Sequence, residues 1–204
     1  MDKLAKVVSY VFHPLWMPMI TLFWVLKEDP FLFVQADVFV FLMIILLINS
    51  LAPGISIFIM YKRGMIGSLE VENRKERMLP FLLVILYYSL SYGVLRTKQT
   101  PIPPEIYSLL FALILSLVLC LSISLRYKIS IHTMAQGALF GIFLALGIKH
   151  ALPIHLVLIT VALIGALVAW ARLRMKVHTV SQVFWGWLLG AFVHYIVIGL
   201  GIWI

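Results

Sequence analysis

The sequence predicts an all-α fold, a polytopic bundle of about seven transmembrane helices, from its composition and from the length of its apolar runs. Of the 204 residues, 63% are hydrophobic and only 12% are charged, whereas a soluble domain is about 45–50% apolar and about 25% charged. The apolar runs have the length that crosses a bilayer, about 20 residues. These observations exclude a water-soluble globule, a disordered chain and a nucleic-acid-binding domain, although the net charge is +8.

Seven apolar stretches predict the spanning helices. They cover residues 7–26, 37–60, 79–96, 106–125, 132–149, 154–171 and 179–203. The first stretch contains His13, Pro14 and Pro18, and the second contains Asn49 and Pro53. Because proline interrupts helical hydrogen bonding, we expect a kink or a break in both.

The start of the chain predicts a retained first helix and not a cleaved signal peptide. The charged residues before position 7 lead directly into the first apolar stretch, without a small-residue cleavage site. We expect a single integral-membrane domain over residues 1–204, because one bundle uses the whole length. The one cysteine, Cys120, lies in an apolar run and is expected to be a small packing residue.

Basic residues are concentrated on one side of the predicted bundle. With seven spans, the N-terminus and the connections 61–78, 126–131 and 172–177 share a side and carry 12 of the 16 basic residues. The positive-inside rule places that side in the cytoplasm. We therefore expect a protein of the inner or plasma membrane whose basic loops face the cytoplasm.

Two of these basic connections share a sequence pattern. Residues 126–136 and 172–182 both read Arg-x-(Lys/Arg)-x-x-x-His-Thr-x-x-Gln, and the two copies are 46 positions apart. Each copy places a basic cluster and a histidine, His132 or His178, at the start of a predicted helix. Residues four apart lie on one helical face, so the glutamine of each copy can bond its imidazole.

Histidines, arginines and helix N-termini at one membrane face describe a phosphate site. Helix N-termini supply N–H groups and the positive end of the helix dipole, and arginine binds phosphate oxygens in bidentate fashion. One histidine could attack phosphorus while the other protonates the leaving oxygen. We expect no metal and no cofactor, because no carboxylate lies near either histidine in the sequence.

The spacing of these residues resembles that of the type 2 phosphatidic acid phosphatase (PAP2) superfamily. Arg172, followed by five residues, His178, three residues and Gln182, is similar to the third signature of that superfamily, Ser-Arg-x5-His-x3-Asp. The segment 130–133, Ser-Ile-His-Thr, resembles the second signature, which begins Ser-Gly-His. The resemblance covers about residues 60–200 and implies a six-helix core, to which this chain would add one span.

The first signature of the superfamily, Lys-x6-Arg-Pro, is matched only loosely. Arg74 and Arg77 precede Pro80 at the start of a predicted helix, but not at the signature spacing. The resemblance nevertheless implies that basic side chains from this segment add positive charge to the phosphate site.

The resemblance implies a membrane-embedded, metal-independent lipid phosphate phosphatase that works through a phosphohistidine intermediate. His178 would be the nucleophile, His132 the general acid and Gln182 the residue that orients the nucleophile. The side chains that would bind phosphate oxygens are those of Arg172, Ser130, Arg74, Arg77 and Lys128. The partner would be a membrane lipid phosphate in the bilayer, such as phosphatidic acid, phosphatidylglycerophosphate or polyprenyl diphosphate, and not a nucleic acid.

Three positions depart from the family pattern. Gln182 stands in the place of an aspartate, Ala171 in the place of a serine and Ile131 in the place of a glycine. An amide oxygen can fix the tautomer of an imidazole, but it supplies no negative charge. Two alternatives therefore stay open: a non-catalytic lipid-phosphate-binding or transport protein on the same scaffold, and a structural membrane protein whose basic face meets anionic lipid.

Small residues and two further histidines mark the predicted spans. Two pairs of glycines form faces that predict close packing of the fifth and seventh stretches: Gly137 with Gly141, and Gly186 with Gly190. His13 and His194 lie inside apolar stretches, where we expect interhelical hydrogen bonds in preference to a functional role.

Overall fold

The computed structural model of the protein describes residues 3–28, 38–71, 73–97 and 104–202. These residues are mainly helical and contain no β-strand, which confirms the predicted all-α fold. The helices are α1 (Lys3–Val11), α2 (Met17–Glu28), α3 (Val38–Ile44), α4 (Ala52–Lys62), α5 (Met78–Arg96), α6 (Pro104–Ser124), α7 (Ile131–His150), α8 (His155–Arg174) and α9 (Val180–Gly199).

Six segments of the described chain are long and apolar enough to cross a membrane. Five of them are α5 to α9, and the sixth is Leu42–Lys62. That segment joins α3 to α4 through a π-helical turn, Ile45–Leu51, which contains Asn49. The interruption predicted there is therefore a local widening of a continuous helix. The protein is an integral membrane helical bundle, as its composition predicts.

The first predicted span, residues 7–26, is two short helices separated by a turn. Helix α1 has 9 residues and α2 has 12, so neither alone reaches the length that crosses a bilayer. Between them lies a 3-10 turn, Pro14–Trp16. The Leu15 backbone N–H donates to His13 Nδ1 at 3.3 Å. The predicted break is confirmed, and the continuous spanning helices among the described residues number six where the sequence predicted seven.

The two N-terminal helices pack in different places. Ala5 and Val8 of α1 lie against Val168 and Ala171 near the end of α8. Helix α2 contributes Met17 and other apolar side chains to the central core, which is built mainly from α6 and α7. The N-terminal segment therefore begins beside the last turns of α8 and then enters the bundle.

Helix α7 is the central helix of the bundle. In its apolar 18-residue stretch 72% is buried, whereas the buried share is 44% or less in each of the other five candidate spans. Glycines let α9 approach it backbone to backbone. A methyl group on Gly190 would lie 1.9 Å from the Met134 carbonyl oxygen, and one on Gly137 would lie 1.9 Å from the Trp187 carbonyl oxygen. The predicted close packing of the fifth and seventh stretches is therefore confirmed, and it brings the starts of α7 and α9 together.

Candidate functional site

The two copies of the repeated pattern lie side by side at one end of the bundle. The Ser130 amide donates a hydrogen bond to the Gln182 carbonyl oxygen at 3.1 Å. Lys128 Nζ donates to the Val177 carbonyl oxygen at 2.8 Å, which ties the two basic loops together. The predicted convergence of these loops is therefore confirmed.

The loop before α5 reaches the same end through Arg77. Its Nε donates to the Val71 carbonyl oxygen at 3.1 Å, and its Nη1 donates to the Ile129 carbonyl oxygen at 3.0 Å. Burial of the guanidinium lowers the pKa of Arg77, and the neighbouring charge of Arg172 lowers it further. Arg74 is exposed by contrast, so Arg77 is the arginine of this loop that the fold buries at the junction.

Arg172, in the last turn of α8, is the central cation of the site and is only 1% exposed. Its Nη1 donates to Ser9 Oγ at 2.6 Å and forms an ion pair with the Glu70 carboxylate. Its Nε is buried and has no acceptor among the described residues. A guanidinium has five N–H donors, so Arg172 retains hydrogen-bonding capacity for a further anionic group.

Glu70 is a site residue that the sequence does not reveal, because it lies 102 positions before Arg172. Glu70 is also far from both histidines along the chain, so their sequence neighbours do not indicate a carboxylate at this site. Val71, the next residue, has a φ of 47°, a left-handed conformation that a β-branched residue rarely adopts. Since Arg77 bonds the Val71 carbonyl oxygen, Arg77 holds the turn that presents Glu70 to Arg172.

His178 precedes Thr179, the N-cap of α9, and its Nδ1 lies 3.1 Å from Gln182 Oε1. The same oxygen accepts the Thr179 backbone N–H at 3.3 Å. A backbone N–H only donates, so this atom is the amide oxygen, and the proton of the neutral ring must be on Nδ1. The Nε2 atom therefore carries the lone pair. The predicted contact of glutamine and histidine is confirmed in this copy.

The imidazole of His178 stays neutral at physiological pH. Burial lowers its pKa to about 3, although the hydrogen bond to Gln182 acts in the opposite direction. The positive charges of Arg172, Lys128 and Arg77 lower the pKa further. A neutral ring with a free lone pair on Nε2 is the form that can act as a nucleophile.

His132 lies in the first turn of α7 and is 4% exposed. Its ring meets the ring of His13 edge-on, with centroids 5.2 Å apart. Its Nε2 is buried and has no hydrogen-bond partner in the described chain. The contact expected with Gln136 is not formed, because Gln136 Nε2 donates to Met17 Sδ at 3.4 Å.

His132, His178 and Arg172 lie within electrostatic range of one another. Ser130, which the resemblance implies as a phosphate ligand, is fully buried, and its Oγ accepts the Thr133 N–H as the N-cap of α7 at 3.4 Å. These residues therefore lie at the same end of the bundle, and Arg74 lies at its periphery, where its Nη1 donates to a loop carbonyl oxygen at 3.0 Å.

A cavity of about 130 Å³, with His132 and Glu70 in its lining, extends into the apolar core. Its polar end is lined by His13, Glu70 and His132, and its deeper wall is lined mainly by aliphatic side chains. Arg172 and Arg77 adjoin the wall through the residues they bond, Glu70 and the backbone of residue 71. The cavity thus has polar side chains at His13, Glu70 and His132 and a hydrocarbon-lined interior, while His178 and Arg172 lie outside its lining. The aliphatic residues of the deeper cavity wall include Leu22, Ile45, Ile106, Leu109, Leu110 and Ile142.

The expectation of interhelical hydrogen bonds for His13 and His194 is wrong. His13 accepts from Leu15 within its own turn and lines the cavity. His194 bonds the Gly190 carbonyl oxygen within its own helix. Tertiary packing placed both rings in the cavity wall, which their spacing along the chain does not indicate.

No group of three or more His, Cys, Asp or Glu side chains in the described ranges is arranged to hold a metal ion. Comparisons with protein-family models, with curated proteins and with solved structures find no match for this chain.

Proposed function

We propose that the protein is a membrane-embedded lipid phosphate phosphatase that uses His178 as its nucleophile. One observation carries the proposal: Gln182 Oε1 accepts from both the Thr179 N–H and His178 Nδ1. This arrangement leaves His178 Nε2 unprotonated, and Arg172, Lys128 and Arg77 surround the ring with positive charge that a phosphate dianion would neutralise.

The proposed reaction has two steps. His178 Nε2 attacks phosphorus, the bond between phosphorus and the lipid oxygen breaks, and the lipid oxygen takes a proton. His132 would give that proton, once the bound dianion stabilises its protonated ring. Water then attacks the phosphohistidine and gives a proton to the His132 ring, the bond between Nε2 and phosphorus breaks, and inorganic phosphate leaves with the His178 imidazole neutral again.

The cavity supports a substrate that carries both a phosphate group and a long apolar chain. The phosphate would lie between Arg172 and the two histidines, of which His132 lines the cavity, and the chain would extend along the aliphatic wall. Phosphatidic acid, phosphatidylglycerophosphate and polyprenyl diphosphate all have this general form. A substrate of this form would come from the bilayer.

We also propose that the site opens to the cytoplasm. Arg77, Arg172 and Lys128 are engaged within the site, so they are poor markers of topology. Without them, nine of the twelve basic residues remain on that side, against four on the opposite side. The positive-inside rule therefore favours the same orientation after the site residues are removed from the count.

A second candidate function is lipid-phosphate binding without turnover. The ion pair of Arg172 with Glu70 favours it, because a phosphate has to compete with a carboxylate that already occupies the cation. Gln182, which lacks the charge of an aspartate, points the same way. In this alternative the histidines orient the headgroup but form no covalent bond to it.

The test is phosphate release by the purified protein in lipid nanodiscs, with radiolabelled phosphatidic acid, phosphatidylglycerophosphate and polyprenyl diphosphate as substrates. We expect label to be trapped on the protein after an alkaline quench and to be lost in His178→Ala. His155→Ala is the matched control, since that histidine is exposed at the other end of α8. If the protein binds these lipids but releases no phosphate, the binding function is retained and the phosphatase is rejected. If it does neither, both proposals are rejected.

A further inference from the structure

His194 is a buried imidazole in the spanning part of α9 with one ring nitrogen left unbonded. Its Nδ1 lies 2.9 Å from the Gly190 carbonyl oxygen. A carbonyl oxygen only accepts, so Nδ1 carries the proton of the neutral ring and Nε2 is an acceptor. Nε2 is fully buried and has no donor partner among the residues the structure describes, although polar groups at membrane depth are normally bonded.

The ring of His194 lines the inner part of the same cavity that begins at His132. Gly190, one turn before it, packs against Met134 and Ala138 of α7, so His194 lies level with the part of α7 just beyond Ala138. That level is about two helical turns, roughly 10 Å, below His132. The neighbouring cavity wall is aliphatic, so His194 Nε2 is an isolated hydrogen-bond acceptor in the middle of the bundle.

We propose that His194 is a second recognition point of the cavity, which accepts a hydrogen bond from a hydroxyl or amide N–H on the hydrophobic part of a lipid phosphate. The proposal rests on the proposed function for the position of the phosphate end. It points to a lipid phosphate other than phosphatidic acid, phosphatidylglycerophosphate or polyprenyl diphosphate, because neither an unsubstituted prenyl chain nor a diacyl ester offers a donor at that depth. A lipid phosphate with a free hydroxyl or amide in its chain region does.

The experiment compares matched probes that differ by one donor. Hexadecyl phosphate and a series of its hydroxylated positional isomers would be titrated against the full-length protein in detergent micelles. We expect one mid-chain isomer to bind about fivefold more tightly than the parent, the value of one net hydrogen bond. His194→Leu should remove that preference and leave the affinity for hexadecyl phosphate unchanged.

Two variants keep the result interpretable. His194→Gln retains an acceptor and should keep part of the preference, and His155→Leu should keep all of it. If His194→Leu weakens every probe equally, the ring has only a packing role and the proposal is overturned. The same holds if no isomer is preferred over the parent by the wild-type protein.

The outcome separates this inference from the phosphatase proposal. The titrations would be repeated with the His178→Ala variant, and with wild-type protein and probes in which a methyl ether replaces the phosphate. A donor preference that survives in both, without phosphate release by the wild type, supports the His194 site and rejects the enzyme. Phosphate release without any donor preference rejects the His194 site and retains the enzyme.

Discussion

His132 and His178 occupy the same position in the two copies of the repeated pattern, yet they stand differently against their helices. The N-cap of α7 is Ser130, two residues before His132, whereas the N-cap of α9 is Thr179, one residue after His178. The first histidine is therefore inside a helix and the second is outside one. The helix starts are 49 positions apart and the histidines 46, a shift of almost one turn.

The glycine faces follow the spacing of the helices and not that of the histidines. Gly137 and Gly186 are 49 positions apart, as are Gly141 and Gly190. Caps and close backbone packing thus define where each helix begins, and the polar pattern is displaced along it. Because of this displacement, His178 lies before its helix and bonds Gln182, whereas His132 lies inside its helix and lines the cavity.

The largest expected difference between the copies concerns their first arginines. Arg172→Ala leaves the largely buried Glu70 carboxylate, whose side chain is 11% exposed, without its partner, so we expect it to lower the free energy of unfolding by about 3–5 kcal/mol. Arg126→Ala, at the equivalent exposed position, should change it by less than about 0.5 kcal/mol. Denaturant titration in mild detergent measures both, and equal shifts would contradict the buried ion pair.

The next effect concerns the spacing of the helices. Gly190→Ala places a methyl group 1.9 Å from the Met134 carbonyl oxygen, and backbone atoms cannot yield locally, so we expect a loss of about 1–3 kcal/mol or more. Gly199→Ala, which has no atom within 4 Å of the added methyl, is the control in the same helix. Thermal unfolding compares the two, and an unchanged melting temperature for Gly190→Ala would reject the close contact.

A smaller effect separates the glutamines. Gln182→Leu should lower the rate of phosphate release about tenfold, because nothing then fixes the tautomer of His178. Gln136→Leu should leave the rate unchanged, since its amide bonds Met17. Gln182→Asp supplies the missing negative charge and should raise the rate. A fall in Gln182→Asp alongside robust wild-type turnover would show that the amide itself is required.

The smallest expected effect near neutral pH is a pH dependence of stability. The folded-state pKa of His178, about 3, lies below the usual 6.5, so the unfolded chain binds the proton first as the pH falls. Stability should therefore decline below pH 6.5, by about 1 kcal/mol at pH 5.5, and level off near pH 3. His178→Asn should lack this component while matching the wild type at pH 8, as unfolding curves across that range would reveal.

Most of the helical architecture could be predicted from the sequence, as could the contact between His178 and Gln182. A break at His13 follows from Pro14, and the packing of α7 on α9 follows from glycines one turn apart. The π-helical turn at Asn49 could not be predicted as such, because proline and asparagine indicate an interruption but not its form. Nor could the role of Gln136, whose partner, Met17, comes from a helix 119 positions away.

What the sequence determined by itself is what acts over a few residues: apolar runs long enough to cross a bilayer, caps, and side chains one turn apart, since covalent geometry holds those groups near each other. The tertiary structure alone decided that Glu70 neutralises Arg172, that His13 meets His132 and that His194 faces the cavity. Those pairings join distant parts of the chain, and only the packing of the helices against one another brings them within contact distance.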